Sequence, residues 1–290
     1  GVVSSAKVVE KLVPPSRAGD EEVFQQLFRS KSRTFSLASF LLPKERAEAI
    51  FRLYYVCRTL DDWADEGQEY RLRDAMACWT EHKPHPLLDH YRFLQARWGL
   101  ASLPMTELMA AMIQEQNGVA MKTESELLAY CHGVAGTIGL MTCPIFGVTD
   151  KKALKHADDL GIAMQLTNIC RDVFEDAKNG RIYLPAEYFE SPPSPSDILQ
   201  NNSNTDLNEI TSIKNRILME ADRRYTSGEQ GIRYLPWRMR IVVRWAGRMY
   251  REIGAVIQDN PDLYHDKRAV VGGLKKLGIL IPCLTKSIFN

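Results

Sequence analysis

The chain has almost no net charge: 37 basic residues stand against 36 acidic ones, a formal +1. A balanced chain has no whole-molecule field to gather a polyanion, so nucleic acid is not expected as a partner and charge-driven binding must be local. It also lacks a CxxC pair. Its six cysteines, at 57, 78, 131, 143, 170 and 283, are scattered through apolar periodic stretches. That argues against a disulfide framework and for buried reduced thiols in a cytoplasmic protein. Cys78, His82 and His85 could be drawn as a zinc site, but no fourth ligand presents itself, and HKPHP reads as a helix terminus with solvated turn histidines. No secretory signal or apolar run of the ~20 residues needed to cross a bilayer is visible. LGILIPCL at 277–284, preceded by Lys275 and Lys276, is expected to dock on the body of the fold, with peripheral membrane contact as the other reading. No glycine-rich fingerprint follows a strand, which disfavours NADPH. Alternating apolar and polar residues, the mark of a half-buried strand, are absent as well.

What the chain does have is helical periodicity nearly throughout, and 45% hydrophobic residues to build a core. The expectation is an all-α protein with helices over about 20–31, 43–66, 69–82, 86–98, 104–116, 124–142, 150–178, 206–231, 235–259 and 267–281. Pro43, Pro104 and Pro236 lie near helix starts. An N-terminal extension, 1–19, precedes one helical domain, 20–290. The segment SPPSPSDILQNNSNTD at 191–206 reads as a mobile surface loop with a short helical turn at 196–200.

Two segments carry the chemistry, DDWADE at 61–66 and NICRDVFED at 168–176. In the first, Tyr54, Arg58, Asp61 or Asp62, and Asp65 recur at steps of three and four, so they share one helix stripe. In the second, Gln165, Asn168, Asp172 and Asp176 repeat that spacing. Like charges one turn apart destabilise a helix, so two such ladders, each beside an arginine, call for a cation. Oxygen-only donors favour a hard ion, with Mg²⁺ the leading candidate and Mn²⁺ the substitute. Asp61 and Asp65 rise about 6 Å apart along a helix, a span suited to metal ions bridged by phosphate oxygens.

Such a site could stabilise a departing diphosphate, with Arg58 and Arg171 adding positive charge. The carbocation left behind needs walls without nucleophiles, and Phe35, Phe51, Leu140 and Ile169 are candidates. Tyr130 and Tyr183 could take part in proton transfer or orient the diphosphate. Gly133, Gly136 and Gly139 thin one face of the helix between the motifs. Close helix packing, a local kink, or a backbone held against a ligand could each account for them.

These residues resemble the head-to-head trans-isoprenyl synthases, the family of squalene, dehydrosqualene and phytoene synthases. The resemblance runs from SKSRTFSLASFLLP at 30–43 through YYVCRTLDDWADE, YCHGVAGTIGL and GIAMQLTNICRDVFEDAKNGRIYLP to KRAVV at 267–271. It implies an isoprenoid synthase fold with a central cavity, and condensation of two prenyl diphosphates through a cyclopropylcarbinyl diphosphate. By resemblance, Asp61, Asp62, Asp65, Asn168, Asp172 and Asp176 hold Mg²⁺. Ser32, Arg33, Tyr54, Arg58, Arg171, Tyr250 and Arg268 contact diphosphate, while Gln165, Tyr130 and Tyr183 border the reacting carbons. The NICRDVFEDAKNGRIYLP block and the small Ser39 one turn after Phe35 lean towards two geranylgeranyl diphosphates and phytoene. DDWADEG keeps farnesyl diphosphate, with dehydrosqualene, squalene or presqualene diphosphate as product, in view. Relatives that have lost the acidic ligands and act as scaffolds form a third reading, against which every ligand is retained.

Overall fold

Helical periodicity becomes eleven α-helices among the described residues. The computed structural model describes residues 42–148, 150–200 and 206–259. Ser32, Arg33, Phe35, Ser39, Arg268, the helices expected at 20–31 and 267–281, and the apolar run at 277–284 lie outside them.

The first half comprises α1 (Lys44–Asp65), α2 (Glu69–Thr80), α3 (Pro86–Trp98) and α4 (Leu103–Glu115). Pro43 precedes α1 and Pro86 opens α3, positions where a missing N–H costs nothing. His85 is not the solvated turn residue expected from HKPHP. It is buried, and its Nδ1 accepts the N–H groups of Leu87 and Leu88 at 3.1 and 3.4 Å, capping α3.

The middle of the chain runs through α5 (Glu124–Cys131), a π-helical turn (His132–Gly136) and α6 (Thr137–Ile145), then α7 (Lys151–Arg171). By length and composition the run Glu124–Ile145 could cross a membrane, unlike the sequence expectation, but 61% of its most apolar window is buried inside the protein. It packs on α4 and α7. Its glycines explain how. A Cβ on Gly133 would meet the Ala111 Cβ at 2.8 Å, and one on Gly139 would meet the Ala157 carbonyl oxygen at 2.5 Å. Close helix packing therefore accounts for this face, and the π turn supplies the local irregularity.

α7 is the axis of the second half: every residue from Asp159 to Cys170 is buried. It packs against α6, the π turn, α10 (Leu207–Gly231) and α11 (Trp237–Asp259). Wrapped on all sides, this half of the helix buries polar as well as apolar residues, Asp159, Gln165, Thr167 and Asn168 among them. The helix expected over 150–178 is broken at Asp172, which closes α7 and opens α8 (Val173–Lys178) with φ −106° and ψ 19°. Bonds from Asp172 N to Asn168 O (2.9 Å) and from Asp176 N to Asp172 O (2.8 Å) bridge the break, so the acidic stripe survives it.

The expectation of no strands needs one small correction. Val119–Ala120 and Arg181–Ile182 form a parallel two-residue ladder, β1 and β2. Met121 N extends it to Ile182 O at 3.3 Å, and Ala186 N returns to Met121 O at 2.9 Å. This seam lays the GRIYLP segment beside the end of α4. The loop expected at 191–206 contains α9 (Pro195–Gln200), anchored by a fully buried Ile198.

Candidate active site

The first acidic stripe ends α1. Asp61 is 5% exposed, Asp62 half-buried and Asp65 exposed, so the stripe runs from interior to surface along one helix. Arg58 Nε meets Asp62 Oδ1 at 3.0 Å. Burial raises the Asp62 carboxyl above its usual range, Arg58 pulls it back, and Glu66 and Asp65 push it up again. The Glu66 and Asp65 contributions are the repulsion inferred from the spacing. Tyr54 is buried one turn earlier, its ring 6.4 Å from that of Phe51.

The second stripe straddles the α7–α8 break. Arg171 grips Asp172 with two bonds, Nε to Oδ1 at 2.7 Å and Nη2 to Oδ2 at 2.9 Å. Burial works against the guanidinium, yet Asp172 holds its pKa above the ordinary value, with Tyr250 and Asp176 adding to the effect. Tyr250 on α11 is buried and is thus brought to the same end of the site. Gln165 accepts a long 3.4 Å bond from Asn168 Nδ2. Asn168 is 4% exposed, and its Oδ1 is buried without a hydrogen-bond partner among the described residues. An orphaned buried oxygen costs about 1–3 kcal/mol, and here it stands one turn from Asp172.

The two stripes are tied together by the C-terminal turn of α4. Gln116 Nε2 donates to the Ala64 carbonyl inside the first motif at 3.0 Å. Its neighbour Glu115, only 3% exposed, accepts hydrogen bonds at Oε1 from Tyr183 (2.7 Å) and from Tyr130. The two tyrosine rings stack with centroids 4.9 Å apart. Tyr183 in turn shares a small cavity with Ile169, Asp176 and Arg181. Tyr130 and Tyr183, remote in sequence, are thus brought together, and next to the second motif.

Glu115 and Arg181 were missed by sequence reasoning. Glu115 sits in QEQNG, which reads as a solvated helix end; Arg181 sits in GRIYLP, where only the tyrosine drew notice. Burial of Tyr130 and the adjacent Glu115 charge hold its phenol far above its ordinary pKa. The Tyr130 phenol therefore stands as a donor, Tyr183 donates to the same oxygen, and Glu115 is the acceptor. Ile169 lines the small cavity beside Tyr183 and Asp176, and Leu140 is partly buried.

Cys57, Cys131, Cys143 and Cys170 are buried free thiols and Cys78 is half-buried, as their apolar settings suggested. Burial pushes the Cys57, Cys143 and Cys170 thiols up to about 12, so they are not nucleophiles.

An all-α bundle carrying two acidic stripes, each with its arginine, above a buried apolar interior defines a prenyltransferase of the isoprenoid synthase fold. The chain belongs to the squalene/phytoene synthase family, whose sequence profile matches residues 28–275. It is 32% identical over 278 residues to phytoene synthase 1, chloroplastic, of Zea mays, covering 87% of this chain and 67% of that protein. It is 30% identical over 276 residues to 15-cis-phytoene synthase of Pantoea ananas, covering 86% of each. Among solved structures, a dehydrosqualene synthase in complex with ligand superimposes with a TM-score of 0.72 at 22% identity, over 90% of this chain and 94% of that one. Squalene synthase HpnC from Alicyclobacillus acidocaldarius gives 0.70 at 23% identity, over 88% and 98%. At those identities the two structures establish the shared fold.

Proposed function

We propose that the protein joins two geranylgeranyl diphosphates head to head, through prephytoene diphosphate, to give phytoene, releasing two diphosphates and two protons, one as the cyclopropane closes and one in the last step. The observation that carries this reading is the second acidic stripe, with its gripped Arg171–Asp172 pair beside the orphaned Asn168 Oδ1. That oxygen and the hard carboxylates around it suit a divalent cation. Asp61, Asp62 and Asp65 on one side and Asn168, Asp172 and Asp176 on the other would hold Mg²⁺, or Mn²⁺ in its place, which supplies positive charge to a departing diphosphate.

The chain's own side chains do the rest. Arg58 and Arg171 bind and orient diphosphate oxygens, with Tyr54 and Tyr250 beside them. Ser32, Arg33 and Arg268 are assigned the same task by resemblance. Phe51, Ile169 and, by resemblance, Phe35 keep water from the allylic cation, offering it apolar and aromatic surface but no nucleophile. Gln165 borders the reacting carbons. Tyr130 and Tyr183 hold their protons and point them at Glu115, leaving the Glu115 carboxylate as the atom able to receive the proton lost in the last step. No reductant is needed for a product formed by proton loss. The choice of a C20 substrate is supported by the phytoene synthases that the chain resembles at 30–32% identity.

The test is incubation with Mg²⁺ and either farnesyl or geranylgeranyl diphosphate, with and without NADPH, followed by mass analysis of the extracted lipid. A C40 hydrocarbon from the C20 substrate without NADPH is expected. C30 products alone would move the substrate to farnesyl diphosphate, and no product from either would sink the catalytic reading.

A further inference from the structure

Between Gln230 and Arg251 the chain carries six arginines, at 233, 238, 240, 244, 248 and 251, and no aspartate or glutamate, in a molecule of net charge +1. The segment is the start of α11 and the turn before it. Arg248 and Arg251 are taken up by Glu229 (3.1 Å) and Asp222 (2.6 Å). Arg240 donates to the neutral carbonyls of Leu235 and Arg233 at 2.7 and 2.9 Å. Arg233, Arg238 and Arg244 are exposed and make no ion pair among the described residues.

The same face carries large apolar side chains. Trp237 is 65% exposed and Ile241 49%, four residues apart and so on one side of the helix. Arg244 and Arg248 continue that stripe at the next two turns. The Arg238 guanidinium lies 5.2 Å from the centre of the Trp237 ring. The opposite side of α11 is ordinary core: Met239, Val243, Ala246, Tyr250 and Ile253 are buried, and the helix packs on α7 and α10. A bilayer interface takes up an indole and an aliphatic chain at headgroup depth while arginines meet lipid phosphates. An acidic protein surface would meet the charges but leave the exposed indole and Ile241 without an apolar phase.

We propose that the outer face of α11, centred on Trp237, Ile241, Arg238 and Arg244, docks the protein on an anionic lipid bilayer. The purpose rests on the function proposed above: a substrate with a long hydrocarbon tail and a product that is wholly hydrocarbon are both held in lipid. The helix that meets the bilayer also carries Tyr250 on its inner face, so one helix reaches from the lipid contact to the Arg171 end of the site. This places the contact on α11; residues 277–284, which the sequence offered as an alternative membrane contact, lie outside the described residues.

The experiment is co-flotation of the full chain with vesicles of phosphatidylcholine alone and of phosphatidylcholine mixed with phosphatidylglycerol, without substrate, so that a failure of the prenyl reaction cannot be mistaken for a failure of docking. The wild type is expected to float with the mixed vesicles only and to be released by salt. Arg238→Glu with Arg244→Glu should lower partitioning by at least ~30-fold, since each arginine near an anionic surface contributes about fivefold. Trp237→Ser with Ile241→Ser should lower it about tenfold or more. Unchanged thermal melting of both variants would show that the fold is intact. Equal binding to neutral vesicles, wild-type binding by the folded variants, or a wild type that stays in the soluble fraction would each overturn the proposal.

Discussion

At the scale of single residues, the charges were legible and their buried partner was not. Asp61, Asp62, Asp65, Asn168, Asp172 and Asp176 announce themselves because clustered oxygen donors at helical spacing are costly without a cation. Glu115 gives no such signal: one carboxylate in a polar helix end is the commonest kind of surface residue, and only the fold reveals that it is 3% exposed beneath two stacked tyrosines. Its role can be separated from structure by Glu115→Gln, which keeps the shape and both phenol partners but removes the base. Turnover is expected to fall by about 10²–10⁴-fold, the range of a lost general base, with the Mg²⁺ dependence and the unfolding midpoint nearly unchanged. A variant that loses stability in step with activity would instead make Glu115 a structural clamp. Tyr183→Phe should show a smaller loss, because the Tyr130 bond to the same oxygen remains.

At the scale of elements, helix existence followed from periodicity, and the departures came where side chains override it. The sequence reads 124–142 and 150–178 as unbroken helices, yet the structure inserts a π turn in the first and a break at Asp172 in the second. The π turn is held by a bridge that no local pattern shows. His132 Nε2 meets Glu107 Oε2 of α4 and its Nδ1 meets Asp158 Oδ1 of α7, both at 2.6 Å. Gly136 makes room, since a Cβ there would fall 1.9 Å from the Asp158 oxygen. The hydrogen bond to Asp158 lifts the imidazole against the opposing effect of burial, with the Asp158 and Glu107 charges helping, from 6.5 to about 9. Because the folded pKa lies above the unfolded one, the bridge stabilises fully below pH 6.5 and that contribution is lost as the pH rises through about 9. With nearly a third of the ring exposed, the loss is about 1–2 kcal/mol. Urea unfolding followed from pH 6 to about 9.5 should show this decline. His132→Gln should be less stable at the acid end and lack this part of the slope. Equal slopes for the two proteins would assign the pH dependence to other groups.

At the scale of the whole molecule, the all-α class, the order of helices and the pairing of two acidic motifs could be read in advance, whereas the way the halves are joined could not. Long-range contacts leave no trace in local periodicity: the Gln116–Ala64 bond, the β1–β2 seam and the Glu115–Tyr183 bond each connect segments more than 50 residues apart. Those connections mean that cation and diphosphate should act on the fold jointly. Mg²⁺ alone meets carboxylates already partly neutralised by Arg58 and Arg171, and a diphosphate alone meets the repulsion of both stripes. Together they would satisfy each other and bring a cation to the Asn168 oxygen. In thermal unfolding, either Mg²⁺ or a non-ionisable geranylgeranyl diphosphate analogue is expected to shift the midpoint by a degree or so. The pair at about 100 times the dissociation constant should add ~2.7 kcal/mol, which for a domain of this size is a shift of about 4–5 °C. Asp61→Asn and Asp172→Asn should each abolish most of the joint shift while leaving the midpoint of the unliganded protein near that of the wild type. If the analogue gives its full shift without Mg²⁺, the two acidic stripes do not share a cation with the diphosphate, and Arg58, Arg171 and Tyr250 must hold it alone. The joint shift needs no turnover, so it tests the metal assignment independently of which prenyl chain the cavity accepts.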